Sequence, residues 1–196
     1  MIKIITGIIL AAGSSKRMGM QKLLLPFKDS TILEEVIKTV KSCSTLNEVI
    51  VVYKSEEVLN AIKKYDVKPV FNPIAEKGQS TSVVEGIKNC HPETKAYMFI
   101  LGDQPFISLD IMKTIIEVWN NNPNSVIVPR YNGKNGMPTI FPSNYKQDLL
   151  NITGDKGGRD IIKANPDNVI NVDFSNTLAG FDIDTIEDYN ECLKKI

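Results

Sequence analysis

One histidine and three cysteines are all that this chain offers of the side chains that most often build nucleophilic or zinc centres. His91 precedes Pro92 in a predicted loop and is not a catalytic candidate. Cys43, Cys90 and Cys192 stand far apart with no CxxC spacing, which argues against both a zinc site and a disulfide framework. An excess of one charge is also missing, since Lys plus Arg and Asp plus Glu number 23 each. Without a basic surplus to displace counterions, nucleic acid is not an expected partner. No apolar run reaches the ~18 residues that span a bilayer. Met1-Ile2-Lys3 leads into an apolar strand with no small-residue cleavage site, so neither a signal peptide nor a membrane partner is expected. A reducing, cytoplasmic setting follows as the expectation. Two familiar phosphate loops are absent as well. GxGxxG fails because Ser14-Ser15 follow Gly13. GxxxxGK[ST] fails because Met18 stands five residues after Gly13 and Lys22 is not followed by Ser or Thr.

What is present is an alternation of apolar runs and helical patterns along 196 residues, long enough for one domain with a proper core. Strands are expected at 4–10, 48–53, 69–71, 97–101, 125–129, 138–141, 169–172 and 181–183. Helices are expected at 31–43, 56–65, 79–90, 109–121, 143–150, 157–164 and 185–195, with Ser55 and Ser108 as caps. Strands that are apolar throughout need cover on both faces, and alternation with helices gives right-handed crossovers. The expected fold is an α/β, Rossmann-like three-layer α/β/α sandwich with a mostly parallel mixed sheet. It forms a single domain, 1–196, with a first half 1–105 and a second half 106–196. Ligands of such folds sit beyond the carboxyl ends of the strands where strand order reverses. That singles out the ends after Leu10, Leu101 and Ile183.

The connection after the first strand is long, and the first 28 residues carry Lys3, Lys16, Arg17, Lys22 and Lys28 with no acid. Gly13 permits close backbone approach, and Gly13, Ser14 and Ser15 can present a concave set of amides to an anion. Arg17 offers a planar fork for phosphate oxygens and Lys22 a compact charge. The alternative is a solvated basic loop. Asp103 ends a buried strand at the ligand edge and is a hard oxygen donor suited to magnesium; its alternative is a turn-forming Asp after Gly102. Asp182 and Asp184 lie two apart in an extended segment and so face one way, although Asp184 could instead cap the last helix.

Six ordered segments carry a resemblance. Leu10–Pro26, LAAGSSKRMGMQKLLLP, resembles the signature of the MobA-like nucleotidyltransferases that attach a nucleoside monophosphate to the molybdenum cofactor. Gly78-Gln79-Ser80-Thr81-Ser82-Val83 resembles the base-reading segment of that family. Leu101-Gly102-Asp103-Gln104-Pro105 resembles its metal segment. Gly136-Met137-Pro138-Thr139, Gly154-Asp155-Lys156-Gly157-Gly158-Arg159 and Asp182-Ile183-Asp184-Thr185-Ile186-Glu187-Asp188 resemble its GxP, GDxGxR and DxDTxED segments. Two departures are small: Gly158 stands where the family often has Ala, and Ile186 where Pro is usual.

The resemblance implies a nucleotide-diphospho-sugar transferase-like fold and transfer of CMP from CTP to the phosphate of molybdopterin, with release of pyrophosphate. Magnesium is the implied cofactor, with manganese as a substitute. Arg17, Lys22 and Asp103 become the catalytic candidates. Leu10, Ala11, Ala12, Gly13, Ser14, Ser15, Arg17, Lys22, Gly78, Ser82 and Gly102 become the nucleotide-binding ones. Asp103, Asp182 and Asp184 are the metal candidates, and Gly136, Pro138, Lys156 and Arg159 the acceptor-binding ones, with Lys134 and Met137 nearby. A solvated helix end is the other reading of Lys156 and Arg159. Within the family an LAAG form goes with CTP and an LAGG form with GTP. Ala12, and the lack of a guanine-reading carboxylate between Gly78 and Ser82, point to CTP. The competing readings are a GTP-using enzyme, a related transferase acting on a sugar phosphate or another phosphorylated small molecule, and a non-catalytic escort of the cofactor. Transient contact with a molybdoenzyme is a further implication.

Overall fold

The computed structural model describes residues 4–13, 18–175 and 177–195. Strand β1 (Ile5–Ala11) is buried at every position. Because successive side chains of a strand face opposite ways, Ile8 and Leu10 enter one core and Ile9 and Ala11 the other. A short hairpin, β2 (Pro26–Phe27) and β3 (Ser30–Thr31), leads into α1 (Ile32–Lys41). Then come β4 (Glu48–Tyr53), α2 (Glu56–Ile62), β5 (Lys68–Phe71), α3 (Gln79–Lys88) and β6 (Ala96–Leu101). The second half adds α4 (Leu109–Asn121), β7 (Val126–Tyr131), β8 (Lys134–Asn135), β9 (Thr139–Pro142), α5 (Lys146–Leu150), α6 (Arg159–Ala164), β10 (Val169–Phe174) and α7 (Ile186–Leu193).

One sheet runs through both halves in the order β10-β7-β9-β6-β1-β4-β5, with β8 on the flank of β7. Its long neighbours are parallel except β9, which runs antiparallel to both β6 and β7. Helices α1, α2 and α4 cover one face with side chains such as Val36, Ile37, Ile62, Ile115 and the fully enclosed Trp119. Helices α3, α5 and α6 cover the other with Val83, Ile87, Leu149 and Ile161. Burying each of these large side chains stabilises the fold by roughly 1.5–3 kcal/mol. The helix starts are set by local chemistry. Thr31 and Glu34 form a reciprocal capping box on α1, while Ser55 and Ser108 accept backbone N–H groups at the starts of α2 and α4.

The structure departs from the sequence expectation at four places, one of them the short strand β8, which the expected strands do not include. Residues 181–183 are not a strand; Ile183 instead enters a small third core with Phe27, Ile32 and Cys192, flanked by Phe106, Phe181 and Tyr189. The stretch 143–150 begins as a 3-10 turn, Ser143–Tyr145, before α5. The β2–β3 hairpin was not anticipated. No helix among the described residues is long and apolar enough to cross a membrane.

The path of the chain creates the ligand crevice. From β1 it steps outward to β4 and β5, and α3 then carries it back to β6 on the other side of β1. The carboxyl ends of β1 and β6 therefore flank the point where strand order reverses.

Candidate active site

Leu10 and Leu101 are register partners at those two strand ends, and two cavities open beyond them. The first, of about 420 Å³, is lined by Leu10, Ala12, Gly13, Lys22, Gly78 and Ser82 together with four acids: Glu76, Asp103, Asp155 and Asp184. The second, of about 470 Å³, has an apolar floor of Val128, Met137, Phe141 and Ile162 and a rim of Lys134, Lys156, Arg159 and Lys163. Gln79 and Leu101 line both cavities, so the two share a wall.

A knot of charge lies on the wall of the first cavity. Lys22 lies on the 3-10 turn Lys22–Leu24 and is only 8% exposed. Its Nζ is 2.6 Å from Asp103 Oδ2 and 3.0 Å from Asp184 Oδ1. Burial disfavours the ammonium, but the two carboxylates outweigh burial and hold the Lys22 proton more tightly than in a free lysine. Asp184 is thus not the cap of the last helix. Thr185 is, in a capping box with Asp188. Asp182 meets a different partner, accepting a hydrogen bond from Gln104 Nε2 at 2.8 Å. It lines the second cavity, while Asp184 lines the first. Burial, and then the neighbouring Asp103 charge, raise the proton affinity of the Asp182 carboxyl.

The shared wall is made by two loops pressed together. Gly78 has φ +112°, and a Cβ there would lie 2.6 Å from the carbonyl carbon of Gly154. Ser80 N–H donates to the Gly154 carbonyl at 3.0 Å. Gln79 N–H donates to Asp155 Oδ1 at 3.1 Å. Residues after β9 are in this way stitched to the start of α3.

Most of the sequence-derived candidates line one cavity or the other, but three lie elsewhere. Ala11 turns into the core on the α1 side of the sheet. Gly102 donates its N–H to the Leu10 carbonyl at 3.1 Å, behind the cavity wall. Pro138 stands between two wall residues, Met137 and Thr139, without lining the cavity. Ser14, Ser15 and Arg17 lie outside the described residues. Sequence reasoning missed Glu76, Asp155, Gln104 and Lys163. Lys163 had a signal, since it follows Arg159 by four residues on α6 and so shares its face. Glu76 and Asp155 lie outside the 78–82 segment read for a guanine-reading carboxylate, and they join Asp103 and Asp184 on the wall of the first cavity.

The donor chemistry suits a hard divalent cation. Asp103 and Asp182 are close enough for one charge to disfavour the other, which is the situation a cation relieves. Among the described residues no three His, Cys, Asp or Glu side chains converge into a protein-only cage. Magnesium does not need one, because it is commonly held by one or two carboxylates together with substrate phosphates.

Comparison with known proteins adds the lineage. The model of the MobA-like NTP transferase domain matches residues 7–169. The chain is 32% identical to the purine catabolism protein PucB of Bacillus subtilis (strain 168), over 94% of this chain and 93% of that one. It is 28% identical to the molybdenum cofactor cytidylyltransferase of Escherichia coli (strain K12), over 68% and 67%. Among solved structures, Rv0371c from Mycobacterium tuberculosis H37Rv superposes with a TM-score of 0.87 at 27% identity, covering 99% of both chains. The same mycobacterial protein has been solved in complex with manganese, and that structure superposes with a TM-score of 0.83 at 25% identity over 99% and 100% of the chains.

Proposed function

This chain belongs to the MobA-like NTP transferase domain family, and we propose that it transfers CMP from CTP to the phosphate of molybdopterin or the molybdenum cofactor, releasing pyrophosphate. The observation that carries the reading is the Lys22–Asp103–Asp184 knot on the wall of the first cavity, which meets the second cavity at Gln79 and Leu101. A triphosphate in the first cavity and an anionic acceptor in the second would meet there.

In that arrangement an oxygen of the acceptor phosphate attacks the α-phosphorus. The bond from that phosphorus to the bridging oxygen breaks, and pyrophosphate leaves with the electron pair. No nucleophilic side chain is required. Lys22, already held by two carboxylates, supplies fixed positive charge beside the phosphates, and preorganised charge of this kind is often the largest catalytic effect. Arg17 would add a second cation from the same loop. Asp103, with Asp182 or Asp184, would hold a magnesium or manganese ion, which neutralises phosphate charge when bound. The rim of Lys134, Lys156, Arg159 and Lys163 suits a phosphate. The apolar floor of Val128, Met137, Phe141 and Ile162 suits a flat heteroaromatic ring.

Ala12 on the wall of the first cavity supports a pyrimidine base. Glu76 and Asp155 support a second reading, GTP, because guanine presents N–H donors that a carboxylate accepts. The likeness to PucB along nearly the whole chain supports a product cofactor that serves an enzyme of purine breakdown. Pyrophosphate release with each of the four nucleoside triphosphates, in the presence of magnesium and molybdenum cofactor, tests the proposal. Acceptor-dependent release with CTP is the expected result. Preference for GTP would select the second reading, and no release with any triphosphate would reduce the chain to a binding protein.

A further inference from the structure

Asn72 is not on a cavity wall, yet it is 1% exposed and every one of its polar side-chain atoms is engaged. Its backbone N–H donates to the Tyr53 carbonyl at 2.8 Å, anchoring it at the end of β4. Its Oδ1 accepts the Ile74 N–H at 3.1 Å, which fixes the side-chain amide with Nδ2 pointing to α3. From Nδ2 one hydrogen goes to Thr81 Oγ1 at 2.9 Å and the other to Ser82 Oγ at 3.0 Å. Each hydroxyl thereby has one lone pair engaged as an acceptor and keeps its own proton to donate and a second lone pair. Thr81 donates its proton to the Gly78 carbonyl at 2.8 Å. Ser82 is 5% exposed and lines the first cavity.

We propose that Asn72 is a positioning residue that fixes the Ser82 hydroxyl as a hydrogen-bond donor to the bound base. The inference rests on the reading of the first cavity as the nucleotide site. With one lone pair taken by Asn72, the Ser82 proton is turned away from that amide and addresses a base atom that accepts, such as a carbonyl oxygen or an unprotonated ring nitrogen. An isolated serine hydroxyl turns freely and would not hold its proton in that direction. The neighbouring amide does, because its geometry is locked from the Ile74 side.

Asn72→Asp keeps the size and reverses the polarity. A carboxylate at this place would accept the Ser82 proton and leave oxygen lone pairs facing the base. KM and kcat for CTP and for GTP are to be measured for the wild type, Asn72→Asp, Ser82→Ala and the double variant, with thermal melting in parallel. Asn72→Ala serves as a second probe in case the buried carboxylate prevents folding. The expected result is a KM for the preferred nucleotide raised about tenfold in Asn72→Asp, the size of one lost hydrogen bond. In that variant kcat changes little. In the double variant KM rises no further than in Ser82→Ala alone. A KM unchanged in both Asn72 variants, or an Asn72 effect that persists in full in the Ser82→Ala background, would overturn the inference while leaving the nucleotide site in place. If Ser82→Ala and Lys22→Ala both left nucleotide KM and kcat unchanged, the cavity assignment itself would fall, and this inference with it.

Discussion

Lys22 is the residue on which the site turns. It is buried, which a lone ammonium would resist, and it is held in place by Asp103 at 2.6 Å and Asp184 at 3.0 Å. Removing the ammonium takes charge from the phosphates and leaves two carboxylates facing each other. Lys22→Ala is therefore expected to lower kcat by roughly 10²–10³-fold, the usual cost of losing a preorganised electrostatic group. Pyrophosphate release at saturating substrate checks it. The pH sign follows from the raised lysine value. Stability from this contact is complete below the unfolded value of 10.5 and is lost only as pH rises through the higher folded one. The alternatives at Asp184 were open in the sequence because Asp and Thr are both good caps. The structure gives that task to Thr185 and gives Asp184 to Lys22.

The same division between local and distant information holds for the elements. The strands were legible because β1, β4 and β6 are apolar on both faces, and the helices because Thr31, Ser55 and Ser108 mark their starts. The direction of β9 was not legible, since TIFP reads alike in either sense and only its neighbours set it. Residues 181–183 look like a strand because Phe181 and Ile183 are apolar, but their partners are aromatic side chains of a small core rather than another strand. Gly158 shows how packing explains a departure that the sequence could only note. A Cβ at Gly158 would lie 2.5 Å from the buried Phe141 ring, so alanine does not fit beside this phenylalanine. Gly158→Ala is expected to cost about 1–3 kcal/mol through overpacking. Adding Phe141→Leu should recover part of that loss, a coupling that a double-mutant cycle of denaturant midpoints would read.

At the scale of the molecule the two ends of the sheet differ. At the amino end lie half-buried Cys90 and buried Tyr97, both of which titrate only at high pH. Burial, helped by the nearby Glu48 charge, pushes the Cys90 thiol up to about 12, and burial pushes the Tyr97 phenol up to about 12 as well. Both groups must stay protonated in the fold, whereas the unfolded chain releases them near 9 and 10. Stability should then be flat to about pH 9 and decline as pH rises toward 12. Denaturant melts from pH 7 to 11 check this, and Cys90→Ala should flatten part of the decline. At pH 8 the native Cys90 thiol should alkylate far more slowly than in denaturant.

The carboxyl end is divided in two, and the division predicts which binding step each residue controls. Arg159 lines the second cavity only, so Arg159→Ala is expected to weaken binding of the phosphorylated acceptor about tenfold or more, as a charged hydrogen bond would. Nucleotide affinity should stay within about twofold, because surface changes away from a bound ligand are usually small. Asp155 behaves differently. It lines the first cavity, but it sits in the loop whose next residues, Lys156 to Arg159, rim the second, and its Oδ1 holds the Gln79 N–H in the wall common to both. Asp155→Ala removes that stitch and should weaken both ligands together. Titration calorimetry with CTP alone and with molybdopterin alone separates the two patterns. If Arg159→Ala weakened the nucleotide as much as the acceptor, the wall at Gln79 and Leu101 would not be dividing two binding sites, and the cavities would have to be read as one.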